Sequence, residues 1–107
     1  MFNFTPIRIT NHLEKGCYEG SISRVDFNEN KGYFIIEIIV DRNTIFNTTF
    51  SIRNVIFNNF ACNFLTEEGM LDENEMMHSC VRFSVVDIKT EECIKSRVTS
   101  LEPVFEE

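Results

Sequence analysis

A chain of 107 residues with 17 acidic and 10 basic side chains, net charge −7, has the length of one domain, and its charge disfavours a general phosphate-binding surface. Hydrophobic residues make up 43%, with eleven Phe and no Trp, which is enough to close the core of a small fold. No apolar run approaches the roughly 20 residues of a membrane-spanning helix.

The opening MFNFTPIRIT lacks the basic start and long apolar stretch of an export signal. Cys17, Cys62, Cys80 and Cys93 are therefore expected as free, buried thiols in a reducing compartment, the cytoplasm of a bacterial host cell.

In chain order, residues 1–17 read as an N-terminal arm. Pro6 sets an extended bend, and Phe2, Phe4, Ile7 and Ile9 are expected to pack across the body. Tyr18 to Phe27 reads as the first strand. Tyr18, Gly20 and Ile22 share one parity and Val25 and Phe27 the other, so a bulge or bend is expected near Ser23-Arg24. Asn28 to Gly32 is a hairpin turn. Tyr33 to Val40 is apolar except at Glu37 and is expected to be covered on both faces.

Asp41-Arg42-Asn43 turns the chain into a third strand, Thr44 to Ile52, with Phe46, Phe50 and Ile52 on one face. The period then changes. Val55, Ile56, Phe57, Phe60, Ala61, Phe64 and Leu65 recur at helical spacing behind Asn54, a candidate N-cap. Gly69 reads as the helix stop, and Asp72 or Asn74 as the start of a short turn. Cys80 to Ile88 is the fourth strand, with Val81, Phe83 and Val85 inward. Cys93 to Leu101 is the fifth, with Ile94 and Val98 facing one way and Lys95, Arg97 and Thr99 the other, and residues 102–107 form an acidic tail.

Three strands, a helix and two strands follow the element order of an OB-fold, a five-stranded partly open barrel with one helix between strands 3 and 4. A small α+β sheet with the helix on one face is the rival. The whole chain, residues 1–107, is expected to be one domain, with the barrel spanning 18–101.

Several residues also carry a resemblance. Phe4, Pro6 and Ile7, then Gly16, Tyr18, Gly20 and Ile22, and the close on Val98, Leu101 and Pro103 resemble small OB-like proteins encoded in bacteriophage and prophage replication and anti-defence regions. His78-Ser79 stands where that pattern often has a Gly-Lys pair. The resemblance implies single-stranded DNA binding or an accessory role beside it.

The charge pattern points elsewhere. Glu67, Glu68, Asp72, Glu73 and Glu75 lie between Thr66 and Glu75 with no base among them, while residues 1–65 are balanced. Such a segment is either a solvated loop or a contact surface that stands in for phosphates before a basic protein groove. The expected function is a non-enzymatic acidic binding protein of phage type. It would engage and inhibit a basic nucleic-acid-handling host protein, as anti-CRISPR and other anti-defence inhibitors do.

The alternative is a single-stranded DNA-binding protein using Arg24, Arg82, Lys95 and Arg97 with Tyr18 and Tyr33 as stacking platforms, Arg82 neighbouring Lys95 or Arg97 across strands. A virion or assembly component is a third class. Glu102 to Glu107 faintly echoes the acidic, Phe-bearing tails that recruit partners to single-strand-binding proteins. His78 and Cys80 make a poor nucleophilic pair, and no hydrolase, phosphate-loop or zinc spacing occurs. Neither a cofactor nor a metal is expected.

Overall fold

In the computed structural model, which describes residues 3–105, six strands and three short helical turns follow one another. They are β1 (Arg8–Thr10), β2 (Gly16–Asn28), β3 (Tyr33–Asp41), β4 (Thr44–Ser51), α1 (Val55–Ala61), a 3-10 turn (Cys62–Phe64), α2 (Glu73–Met76), β5 (Cys80–Lys89) and β6 (Ile94–Pro103). All six strands form one mixed sheet in the order β1-β4-β3-β2-β5-β6. Every neighbouring pair is antiparallel except β1 with β4, which run parallel. The mainly β expectation holds, but the sheet has six strands rather than five and is not closed.

The sixth strand comes from the arm. Arg8, Ile9 and Thr10 pair with Thr44, Ile45 and Phe46, and the Arg8 N–H donates to the Asn43 carbonyl at 2.7 Å. The arm does not bury its apolar residues as expected. Phe4, Ile7 and Ile9 are 78%, 62% and 61% exposed, and Phe2 lies outside the described residues. The arm is held by backbone pairing, which makes no demand on side-chain burial.

The long β2 spans the sheet because it bends. Its register with β3 shifts between Ile22 and Arg24, leaving Ser23 as the extra residue, and this bulge turns both Ile22 and Val25 inward. A second bulge, at Thr99 of β6, does the same for Val98 and Leu101. Alternation puts Ile94 and Val98 on one face, but Val98 is buried with Leu101 while Ile94 is exposed.

Curling brings the two ends of the sheet around one core. Phe46 of β4 stacks on Phe83 of β5 at 5.5 Å with the rings 3° apart, and Tyr18 stacks on Phe83 from β2 at 5.8 Å. Phe57, Phe60, Phe64 and Met76 close the core from the helical side. Stacked pairs of this kind contribute about 0.5–1.5 kcal/mol beyond their buried area. β3 is fully covered on one face, where Ile36 and Ile38 are buried, and partly covered on the other, where Ile35 and Glu37 are half-buried and Ile39 is 42% exposed.

The helix begins as expected. The Phe57 N–H donates to Asn54 Oδ1 at 2.9 Å. It ends four residues early, at Ala61: Phe57 and Phe60 of α1 and Phe64 of the 3-10 turn are buried in the core and Ile56 and Ala61 pack against it, while Val55 and Leu65 are 69% and 48% exposed. Gly69 does not stop it. With φ +82°, Gly69 sits in a separate turn. The four cysteines are unpaired but exposed, not buried, since each lies at a strand end, on an outer face or at a helix end. In the C-terminal stretch, Glu102 and Pro103 belong to β6, Phe105 is exposed, and Glu106 and Glu107 lie outside the described residues.

Candidate functional site

The acidic segment is a framed structure rather than a floppy loop. Leu65 and Leu71 form an isolated antiparallel bridge, and the Asp72 N–H donates to the Phe64 carbonyl at 2.7 Å. Within that frame the Thr66 N–H donates to the Met70 carbonyl at 2.8 Å and the Gly69 N–H to the Thr66 carbonyl at 2.9 Å. The turn presents Glu67 and Glu68 outward. Asp72 is half-buried and caps α2, its Oδ1 accepting from the Glu75 N–H at 3.1 Å. Met76, fully buried, anchors α2 to the core. Glu73 and Glu75 are exposed on its outer side. No base lies within ion-pair distance of any of the five carboxylates among the described residues. Met70, 65% exposed, and Leu65 lie beside them.

The basic set is dispersed. Arg24 Nε contacts Asp26 Oδ2 at 2.5 Å, and its Nη1 lies 3.8 Å from Glu37 Oε1. Arg82 Nη2 donates to Glu19 Oε1 at 2.7 Å. Arg82 stands opposite Glu102 and Arg97 opposite Val86, so the expected Arg82 neighbours on β6 are not neighbours. Tyr18 is committed inward against Phe83, its hydroxyl donating to the Glu14 carbonyl at 2.6 Å. Tyr33 remains half-buried at the start of β3. Lys95 and Arg97 alone of the six are exposed and without a carboxylate partner among the described residues.

These two bases lie on a feature that the linear pattern did not disclose. The curled sheet leaves a window between β4 and β6, a cavity of about 380 Å³ lined chiefly by Asn47, Thr48 and Thr49 on one side and Lys95, Ser96 and Arg97 on the other. Its lining comes from five segments: the arm, β4, the α1 cap, β5 and β6. The arm crosses one end, where the Ser96 N–H donates to the Asn11 carbonyl at 2.9 Å and the Leu13 N–H to Ser96 Oγ at 2.8 Å. Asn54, the cap of α1, stands at the rim. An alternation rule sees Asn47, Thr48 and Thr49 only as the polar stretch of a strand. Their shared cavity depends on the curl of the whole sheet.

His12 Nε2 lies 2.9 Å from Asp87 Oδ1 on the surface, and His78 occupies a left-handed bend at φ +70° rather than a strand beside Cys80. No cluster of three metal-ligating side chains occurs among the described residues, and no helix there is long and apolar enough to cross a membrane.

No protein-family model matches the chain, and no curated protein or solved structure is significantly similar to it.

Proposed function

We propose that the chain is a non-enzymatic binding protein of phage or mobile-element type whose acidic segment docks on a cationic surface of a nucleic-acid-handling host protein and inhibits it. One observation carries this reading: Glu67, Glu68, Glu73 and Glu75 are exposed and unneutralised on a frame anchored by the Leu65–Leu71 bridge and the buried Met76. Charges held in place before binding lose little conformational freedom on docking, and rim charges chiefly raise the association rate. Met70 and Leu65 add adaptable apolar contact beside them.

An OB-type barrel is the scaffold we infer. β2, β3, β4, β5 and β6 pair as the five strands of that fold do along the chain (first with second, second with third, first with fourth, fourth with fifth), and α1 lies between the third and fourth. On this reading β1 is an addition and the β4–β6 window is the unclosed seam. The alternative, single-stranded DNA binding, rests on Lys95 and Arg97, because Arg24 and Arg82 are neutralised by carboxylates.

The test is a quadruple charge reversal, E67K/E68K/E73K/E75K, that spares Asp72, whose removal from the N-cap would cost about 1 kcal/mol. Used as bait in host lysate, the parent should retain a basic nucleic-acid-binding protein that salt releases. The folded variant should not. Equal capture by the variant removes the hypothesis. Fluorescence anisotropy of a labelled oligonucleotide over a salt series separates the alternative, which requires tight binding that weakens steeply with salt.

A further inference from the structure

We propose that the window between β4 and β6 is a binding site for a small organic anion, distinct from the acidic docking surface. The lining includes two cationic side chains, Lys95 and Arg97, and no carboxylate, on a molecule of net charge −7. Two other bases on the sheet are answered locally, Arg24 by Asp26 and Glu37 and Arg82 by Glu19. Here no acid balances the pair. Lys95 and Arg97 stand two residues apart on one side of β6, a spacing of roughly 6.5–7 Å, so two anionic oxygen groups of one compact ligand reach both. The arginine fork suits a phosphoryl or carboxylate group held through two oxygens.

Across the window, Asn47, Thr48 and Thr49 offer amide and hydroxyl groups that bond to no protein side chain or backbone among the described residues, leaving both donors and acceptors for the neutral part of a ligand. Phe50 and Val98 form its apolar floor. Size and shape narrow the ligand further. A volume of about 380 Å³ falls at the small end of the range typical of small-molecule sites. The arm is bonded across one end through Asn11 and Ser96, which obstructs an extended chain there. An extended peptide is thereby disfavoured and a compact anion favoured.

The experiment is an amide-shift titration of the full chain by NMR, with pyrophosphate as the phosphoryl probe, citrate as the carboxylate probe and glucose as the neutral control. Expected are saturable shifts confined to Asn47, Thr48, Thr49, Ser96 and Arg97 with at least one anion, at a dissociation constant below about 1 mM. The tighter anion identifies the ligand's charged group. K95A/R97A should weaken binding at least about tenfold, and T49D, which places a carboxylate at the window without touching either base, should do the same. R24A, whose guanidinium is already paired, should leave it unchanged. Shifts that fail to saturate, that spread to Arg42 and Arg53, or that survive in K95A/R97A and T49D overturn the site.

Discussion

Glu19 and Arg82 face each other across β2 and β5, with one carboxylate oxygen accepting from both Nη2 at 2.7 Å and Nε at 3.1 Å. The hydrogen bond and the charge of Glu19 hold the Arg82 guanidinium above its ordinary pKa. The pair links two central strands, yet both partners are at least half exposed, and water screens such a contact. E19Q should therefore leave the thermal midpoint unchanged at low and high salt, although it abolishes the ion pair. A clear loss of midpoint that salt cannot mimic would show that the pair supports the β2–β5 ladder.

Gly20 lies on β2 where β3 passes closest. A Cβ there would meet the Ile39 carbonyl oxygen at 2.5 Å and Ile38 Cγ2 at 2.6 Å, and neither the central backbone nor a fully buried isoleucine can yield. G20A should cost about 1–3 kcal/mol by overpacking, read as a lower urea midpoint at unchanged slope. Gly69 is the contrast. Nothing lies within 4 Å of its Cβ position, so G69A carries only the backbone cost of φ +82°, about 1 kcal/mol. Equal losses at the two sites would refute the steric account of Gly20.

Asp41 closes the turn between β3 and β4. The Asn43 N–H donates to its Oδ1 at 2.8 Å, and this bond, foremost, lowers the carboxyl pKa below its ordinary 3.8. A depressed folded-state pKa contributes stability that is present above the unfolded value and is lost as pH falls through the folded value. D41N should flatten the acid limb of the stability curve below about pH 4 and leave the profile from pH 5 to 7 parallel to the parent. An unaltered acid limb would assign the acid sensitivity to other carboxylates.

Local rules read much of this chain correctly. Strict alternation in Val81, Phe83 and Val85 marked the inner face of β5, the parity break after Ile22 marked a bulge, and Asn54 marked the start of α1. They failed where burial depends on a distant partner. Ile7 and Ile9 look like core residues, but Ile9 lies on the edge strand and Ile7 just before it, and both are left exposed. Arg82 looked like a free base until β2 brought Glu19 opposite it. Cys80 and Cys93 sit at strand ends that the core does not reach.

Amino-acid order alone determined the strand-rich character, the existence of a helical interruption starting at Val55 though not its end, and the concentration of negative charge at 67–75, because each is a property of near neighbours along the chain. Tertiary structure decided the sixth strand, the open seam between β4 and β6 and which bases remain unpaired. Those features arise from residues as far apart as Asn11 and Ser96, or Glu19 and Arg82, and only the curl of the sheet sets the distance between them.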